Sequence, residues 1–295
     1  MSVIGLGCNN FGRRLDAEAT AKVVHAAVDA GINFFDTADS YGNTKSEEFL
    51  GSALGKKRGD VIVATKFGSQ IDEQRKGARP EYVRKAAEDS LARLRTDYID
   101  LYQLHKPDAT VPIAETLGAL NELVKEGKVR EIGCSNFSIT QLYEAEHAVP
   151  PRAARFVSVQ NEYSLFHREP EREVLGECAA VGIAFLPYFP LANGLLTGKY
   201  RLGKPAPEGS RIATGWHEEL LTDANLHKVE QLIAYAQGHG HSILELAFSW
   251  LLSRPMVASV IAGATTPEQV LANAAAGDWD IPESELDDIS RIVPA

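Results

Sequence analysis

Short apolar runs typical of buried strands alternate with amphipathic segments along the whole chain. Between the runs, apolar residues recur on one helical face, as at Val83, Ala87, Leu91 and Leu94. The eight candidate strands span residues 3–8, 33–36, 61–66, 99–105, 129–135, 156–160, 183–188 and 259–263. Eight strand–helix units predict an α/β fold, a (β/α)8 TIM barrel built as a single domain over residues 1–295. An open, doubly wound sheet would need fewer units and a switch point, so it is less favoured.

Local signals mark helix ends and one interruption of the pattern. Ser138 with Gln141 predicts a capped helix start, and Gly182 suits a helix end. Residues 191–222 are rich in glycine, proline and charge, and they are too many for an ordinary connection, which indicates a functional loop. Residues 242–253 then predict a second helix before the last strand.

Composition narrows the class of protein. A net charge of -10 argues against nucleic acid or an anionic membrane as partner. No apolar run approaches the ~20 residues of a membrane span, so we expect a cytoplasmic protein, as a monomer or a small homo-oligomer. The three cysteines are widely spaced and follow no zinc or redox pattern, and we interpret them as reduced core residues.

Polar side chains stand at the ends of three neighbouring candidate strands. Asp36, Lys66 and His105 each end a strand, and Tyr41 lies on the loop five residues after Asp36. Taken singly, each has an ordinary explanation, such as an ion pair that closes a barrel or a buried histidine. Because parallel strands of a barrel end at the face where active sites lie, the four residues together favour a catalytic site.

With these residues, the sequence resembles the aldo-keto reductase superfamily, in particular the branch related to the potassium-channel β subunits and bacterial aldo-keto reductases. The resemblance covers almost the whole chain. It implies reversible, metal-independent reduction of an aldehyde or ketone by NAD(P)H, with Tyr41 as general acid, Asp36 and Lys66 as its tuning pair, and His105 orienting the carbonyl. Lys66 is expected to lower the pKa of Tyr41 from its ordinary value near ~10 by favouring the phenolate.

The resemblance also implies a cofactor site along the carboxyl ends of the later strands. The segment at 194–200, Gly-Leu-Leu-Thr-Gly-Lys-Tyr, matches the phosphate loop of the family closely, whereas Phe189 stands where a serine is common. The implied contacts are Ser135, Asn136 and Gln160 for the nicotinamide carboxamide, Tyr188 for its ring, Leu191, Asn193, Gly194 and Lys199 for the phosphates, and Gly263, Thr265, Gln269 and Asn273 for the adenosine.

The start of the chain departs from the family. We expect the N-terminal β-hairpin that closes the barrel floor in relatives to be missing, and apolar residues at the floor to be more exposed than in relatives. Asn9, Asn10 and Phe11 follow the first strand and are expected to contact substrate. The loops that decide which carbonyl compound binds lie around Phe11, His167, Trp216 and His217.

Two other functions stay open. The first is a non-catalytic or weakly catalytic regulatory subunit that senses NADP(H), like the channel-associated relatives. The second is a Schiff-base aldolase, because a desolvated barrel lysine such as Lys66 is also a nucleophile.

The choice of dinucleotide depends on cations near the adenosine. From residue 261 to residue 273 every side chain is neutral except Glu268, although relatives commonly place a cation there for the 2′-phosphate of NADPH. We therefore expect NADPH to be used, with NADH accepted better than is usual for the family.

Overall fold

Eight parallel strands form the centre of the computed structural model, which describes residues 1–212 and 214–294. They are β1 (Ile4–Gly7), β2 (Phe34–Asp36), β3 (Ile62–Phe67), β4 (Ile99–Leu104), β5 (Val129–Ser135), β6 (Phe156–Gln160), β7 (Ala184–Phe185) and β8 (Val260–Gly263). They pair in the order β7-β6-β5-β4-β3-β2-β1-β8. The ring closes between its ends, because Phe185 donates to the Met256 carbonyl and Ile261 donates to the Pro187 carbonyl. The predicted barrel is confirmed.

Helices form the outer layer. They are α1 (Ala17–Asp29), α2 (Lys45–Leu54), α3 (Pro80–Leu94), α4 (Ile113–Lys125), α5 (Ile139–Ala148), α6 (Val174–Val181), α7 (Asp223–Gly238), α8 (Ile243–Leu252), α9 (Pro267–Ala274) and α10 (Glu283–Ile292). Ser138 and Ser242 form complete capping boxes at the starts of α5 and α8. The pair of helices predicted before the last strand is therefore confirmed as α7 and α8. Among the described residues, no helix is long and apolar enough to span a membrane.

The seventh strand is shorter than the predicted range 183–188. Regular pairing covers only Ala184–Phe185, and Tyr188 makes isolated bridges to Glu162 and Ile261. Pro187 has no N–H to donate, so the ladder is interrupted just before the residue that ends the predicted strand.

The barrel interior is layered. Near the amino ends of the strands, an apolar layer is formed by Phe34, Ala64, Leu101, Leu186 and Ile261. Because side chains alternate across a strand, the inward position two residues later lies one layer closer to the carboxyl ends. Those positions carry Asp36, Lys66 and Gln103, which are buried and polar. The apolar layer thus separates the polar layer from the barrel floor.

At the floor, the first residues of the chain are tied to β2. Ser2 donates its backbone N–H to the side chain of Asn33, and the backbone N–H of Asn33 donates to the Ser2 hydroxyl. Ile62, Val157 and Ala258, which pack below the apolar layer, are only partly buried. Whether this floor is more exposed than in relatives stays a prediction.

An ionic network supports the amino ends of β3, β4 and β5. The buried Asp100 carboxylate accepts hydrogen bonds from Arg58 at 2.7 Å, from Arg130 at 2.8 Å and from the backbone N–H of Val63 at 3.0 Å. The ring of Tyr98 contacts both guanidinium groups, at 4.4 Å from Arg58 and 3.9 Å from Arg130. One carboxylate therefore connects three strands and the 3-10 helix Gly55–Asp60 that precedes β3.

Asp100→Asn is expected to lower the free energy of unfolding by about 3 kcal/mol, because it leaves the buried Arg58 guanidinium without its counter-charge. The measurement is urea denaturation. Asp97→Asn is the matched control, since Asp97 is exposed nearby, and it should change stability by less than about 0.5 kcal/mol. Equal effects of the two substitutions would contradict a structural role for the network.

Candidate active site

The centre of the site is the ammonium group of Lys66, which is 0% exposed. Its Nζ donates to Asp36 Oδ2 at 2.6 Å and to the Thr37 carbonyl at 2.9 Å, and it lies 3.5 Å from the Tyr41 hydroxyl. Burying an unpaired ammonium costs several kcal/mol, so the lysine requires the carboxylate of the neighbouring strand. The structure thus brings Lys66, Asp36 and Tyr41 together.

Asp36 is held from its other side by two glutamines. Gln160 Nε2 donates to Asp36 Oδ1 at 2.9 Å, and Gln103 Nε2 lies 3.3 Å from the same oxygen. These donors come from β6 and β4, so the carboxylate connects strands on opposite sides of the barrel. Both of its oxygens are occupied, which fixes its orientation toward Lys66.

Tyr41 and His105 face each other across the mouth of the barrel. Their rings meet edge to face, with centroids 5.7 Å apart. Burial, together with the ammonium groups of Lys66 and Lys106, lowers the pKa of His105 to about 3. The imidazole is therefore neutral at physiological pH. Its Nδ1 is buried with no partner among the described residues, which favours the tautomer that carries its proton on Nε2.

The pKa of Tyr41 differs from the sequence expectation. Burial raises it above the ordinary value of 10, and Lys66 only partly offsets that effect. The expectation of a lowered pKa is wrong for this geometry, because burial of the hydroxyl outweighs an ammonium at 3.5 Å. Burial also opposes the charge of Lys66, but Asp36 and Tyr41 outweigh it and the pKa of Lys66 is raised. At neutral pH the site thus contains a protonated tyrosine beside a charged lysine.

The residues expected at the nicotinamide form one hydrogen-bonded group. Tyr188 donates to Asn136 Oδ1 at 2.8 Å, and Asn136 Nδ2 donates to the His105 carbonyl at 3.0 Å. The hydroxyl of Ser135 donates to the Gln160 carbonyl at 2.8 Å. Asn136 has φ of 61°, and this left-handed conformation turns its amide toward the mouth of the barrel. The group presents an aromatic ring and amide groups beside His105.

The predicted phosphate loop is a turn of left-handed residues. Ala192, Asn193 and Gly194 have φ of 45°, 58° and 102° in succession, within a 3-10 segment, Ala192–Thr197. Successive backbone N–H groups in such a turn form a concave anion-binding surface. A Cβ at Gly194 would lie 3.2 Å from Lys199 Nζ, so the glycine leaves room for the lysine. The buried Asn193 Oδ1 and the buried Ser210 hydroxyl have no partners among the described residues. These features fit a dinucleotide phosphate.

The expected adenosine residues lie at the start of α9. Thr266 caps the helix, and the Gln269 side chain accepts from the backbone N–H of Thr265 at 2.8 Å. Gly263 is the last residue of β8, and a Cβ there would lie 3.3 Å from the side chains of Asn9 and Asn10. Asn273 is buried one helical turn below Gln269. Capping and adenosine binding are compatible here.

A single cleft of about 1030 Å³ connects these groups. Every expected site residue lines it except Lys66, which lies beneath Tyr41. The glycine-rich segment at residues 5–12 is the end of β1 and a loop, and Asn9 and Asn10 face the cleft. Phe11 is 0% exposed and belongs to the core, so its expected contact with substrate is wrong. His167 does not line the cleft, whereas Trp216 does.

Sequence reasoning missed an arginine cluster on the cleft, formed by Arg13, Arg14 and Arg211. Arg211 Nη2 lies 3.5 Å from Asn10 Oδ1, and Arg14 Nη2 lies 3.5 Å from the Gly209 carbonyl. Burial and the two other guanidinium groups lower the pKa of Arg211. Within the described residues, no carboxylate lies within 4.0 Å of any of the three side chains. Like charges grouped without a counter-charge indicate a place for an anion.

The cluster was missed because it joins two distant loops. Asn10, which Arg211 meets, donates to the Ala264 carbonyl at 3.2 Å, next to the adenosine residues. The sequence has no cation from residue 261 to residue 273. The adenosine end of the cleft nevertheless has one, because Arg211 reaches it from another loop. The sequence signal was a functional loop at 191–222, but its path across the barrel was not readable from local pattern.

A closed parallel barrel with a Tyr-Lys-Asp-His group at the carboxyl ends of its strands, beside an anion-binding loop, defines a barrel oxidoreductase that uses a dinucleotide. Among the described residues, no cluster of histidine, cysteine and carboxylate side chains fits a metal ion. The Aldo/keto reductase family model matches residues 3–294, and the chain belongs to that family. The protein is therefore an oxidoreductase, and NAD(P)H-dependent carbonyl reduction is its general class of chemistry.

Several relatives share most of the chain. It is 38% identical to a probable voltage-gated potassium channel subunit beta of Oryza sativa subsp. japonica, over 91% of this chain and 84% of that protein. Glycerol dehydrogenase from Gluconobacter oxydans superposes with a TM-score of 0.87 at 32% identity, covering 100% of this chain and 93% of that one. An aldo-keto reductase from Klebsiella pneumoniae, solved in complex with NADPH, superposes with a TM-score of 0.80 at 27% identity, covering 99% and 91%.

Asp36→Asn is expected to cost about 3–5 kcal/mol of stability, because Lys66 loses its counter-charge. Without that charge the native pKa of Lys66 should fall below its unfolded value, so the native state binds fewer protons and stability rises with pH. The loss relative to wild type should therefore be larger at pH ~6 than at pH ~9 in urea denaturation.

Asp29→Asn is the matched control, since Asp29 pairs with Lys57 at an exposed position, 3.3 Å apart. It should cost less than about 1 kcal/mol at either pH. Adding Lys66→Met to Asp36→Asn should restore part of the stability; a double variant that is no more stable than Asp36→Asn would contradict the buried pair.

Proposed function

We propose that this protein reduces a small aldehyde or ketone with NADPH, and that Tyr41 donates the proton. The observation that carries the proposal is the buried Lys66 ammonium, shared between Asp36 and the Tyr41 hydroxyl at the edge of a dinucleotide-sized cleft. In this direction the tyrosine must begin protonated, which agrees with its raised pKa. The phenolate left after proton donation is stabilised by Lys66.

His105 acts on the carbonyl oxygen. Its neutral ring, with the proton on Nε2, can donate a hydrogen bond to the oxygen as negative charge develops there. The ring stays neutral throughout the physiological range because its pKa is about 3. Tyr41 and His105 thus approach the same oxygen from two sides, one as the acid and the other as a fixed dipole.

Asp36 and Lys66 keep the acid in position. Asp36 holds the ammonium through a 2.6 Å hydrogen bond and is itself fixed by Gln103 and Gln160. Bound NADPH supplies the hydride. The residues proposed to hold it are Ser135, Asn136, Gln160 and Tyr188 at the reactive ring, Leu191, Asn193, Gly194 and Lys199 at the phosphates, and Gly263, Thr265, Gln269 and Asn273 at the adenosine.

A regulatory subunit that senses NADP(H) is the second candidate function. It is supported by the 38% identity with the rice protein, whose name describes a channel subunit. The two functions differ in turnover, since a sensor has no need of repeated catalytic cycles. Multiple-turnover oxidation of NADPH by a panel of aldehydes and ketones distinguishes them. The aldolase alternative is disfavoured because Lys66 is charged and already engaged by three oxygens.

Tyr41→Phe is expected to lower kcat by ~10²- to 10⁴-fold while the Kd for NADPH changes little, because only an interaction of the transition state is lost. Tyr235→Phe is the matched control, since it removes a hydroxyl that bonds Glu285 on the helical surface, and it should leave kcat unchanged. If Tyr41→Phe keeps a large part of the activity, the proton comes from His105 or water instead.

The arginine cluster supports a choice of NADPH over NADH. We propose that Arg211 contacts the 2′-phosphate, whereas Lys199, beside the glycine turn, contacts phosphates that both dinucleotides share. Arg211→Met should lower kcat/KM for NADPH by ~10- to 100-fold more than for NADH, as expected for charge-assisted hydrogen bonds. Lys199→Met should lower both values to a similar extent. A loss that is equal for the two cofactors in Arg211→Met would remove Arg211 from cofactor selection.

A further inference from the structure

Two carboxyl groups are buried behind the loop that carries Tyr41. Asp39 is 1% exposed and Glu47, on α2, is 0% exposed. Glu47 is fully engaged, because its carboxylate accepts from the Thr65 hydroxyl and, at 2.6 Å, from Arg93 Nε on α3. Glu47 and Arg93 thus form a pair, and among the described residues no cation lies within 4.0 Å of the Asp39 carboxyl group.

Asp39 itself has few partners. Its Oδ2 lies 3.4 Å from the Tyr82 hydroxyl on α3, and its Oδ1 is buried with no hydrogen-bond partner among the described residues. An ionised carboxylate in this position would carry a buried charge that is only weakly solvated. A neutral carboxyl group, which can donate to the Tyr82 hydroxyl, is compatible with the same geometry.

The groups that face Asp39 come from three elements and its own loop. Burial and the Glu47 carboxylate raise the pKa of Asp39 to about 7, while Arg93, the Tyr82 hydroxyl and the Ser40 backbone N–H act in the opposite direction. The fifth group is Tyr102 on β4, a buried tyrosine whose own pKa is raised well above 10 by burial and by Asp39.

The position of Asp39 connects it to the catalytic group. It lies three residues after Asp36 and two before Tyr41, and its backbone N–H donates to the Lys66 carbonyl at 3.0 Å. Thr65, the hydroxyl partner of Glu47, directly precedes Lys66. A change of charge at Asp39 therefore acts on the loop of the general acid and on the end of the strand that holds its lysine.

We propose that Asp39 is a positioning residue for the general acid: its neutral carboxyl group packs against Tyr82 on α3 and so fixes the Tyr41 loop, and its ionisation, which leaves a buried charge with Oδ1 unpartnered, loosens that loop. The inference rests on the proposed role of Tyr41. It gives the enzyme a loss of turnover above neutral pH that does not originate in the reacting groups.

The catalytic side chains leave this pH range free. The pKa of His105 is about 3 and that of Tyr41 is raised above 10, so neither group titrates between pH 5 and pH 9. The 2′-phosphate of NADPH does titrate near pH ~6, and comparison of variants with the same cofactor removes its contribution.

The test measures kcat for carbonyl reduction from pH ~5 to pH ~9, together with the Kd for NADPH. In wild type, kcat should fall on the order of 10-fold around pH ~7, less than the ~10²-fold that a displacement of ~1 Å can cost. Asp39→Asn imitates the neutral carboxyl group. The kcat of this variant should equal that of wild type at acidic pH and should not decrease as pH rises through ~7. The Kd for NADPH should not follow the same profile.

Tyr82→Phe tests the same titration by shifting its midpoint, whereas Asp39→Asn removes it. The Tyr82 hydroxyl favours the ionised form of Asp39, so its removal should move the midpoint of the fall to higher pH. A merely structural role would lower kcat equally at every pH in both variants. That outcome overturns the proposal, and so does a fall in kcat near pH ~7 that persists in Asp39→Asn.

A stability measurement separates failure of this proposal from failure of the proposed function. The native pKa of Asp39 is raised from 3.8 to about 7, so the native state binds more protons in that interval and loses stability as pH rises through it. The Tm of Asp39→Asn relative to wild type should therefore be higher at pH ~8.5 than at pH ~5. If this Tm difference appears but the kcat profiles of wild type and Asp39→Asn coincide, Asp39 titrates without positioning Tyr41, and the proposal is overturned. If Tyr41→Phe remains active, the proposed role of Tyr41 as the acid fails, whatever the Tm shows.

Discussion

The buried ion pair between Lys66 and Asp36 is the constraint on which the site depends. An ammonium that is 0% exposed can be kept charged only by a carboxylate that is held in place itself. Gln103 and Gln160 supply that restraint from two further strands. The polar layer therefore depends on the curvature of the sheet, because its members come from β2, β3, β4 and β6 and meet across the barrel interior.

The chain as a whole is negatively charged, whereas the cleft is lined by a group of positive side chains. The chain carries a net charge of -10, yet Arg13, Arg14, Lys199 and Arg211 line the cleft without carboxylate partners among the described residues. Elsewhere, cations such as Arg58 and Arg93 are satisfied by Asp100 and Glu47. The contrast concentrates positive potential in the cleft, where a dinucleotide brings several negative charges, and repels anions from the rest of the surface.

Site residues at the ends of predicted strands were found from the sequence. Those that a long loop brings to the cleft were not. Strand ends converge in a parallel barrel, so Asp36, Lys66 and His105 could be grouped without coordinates. Arg211 reaches the cleft because a long loop crosses to Asn10. The spacing of hydrophobic residues in the sequence does not predict the path of such a loop. The sign of the pKa shift of Tyr41 was missed for a related reason, since it depends on a balance between burial and distance that only the packed structure contains.

The loop between β2 and α2 places two carboxyl groups in contrasting surroundings. Asp36 points into the barrel, where a lysine and two amides make the carboxylate stable. Asp39 points to the layer of α2 and α3, where the Arg93 guanidinium is already paired with Glu47. The chemistry of the side chains is the same, so the difference lies in the surroundings alone. Because Tyr41 lies two residues beyond Asp39, the geometry of the proposed acid depends on both environments at once: an ion pair on one side of the loop and a carboxyl group without a cation of its own on the other.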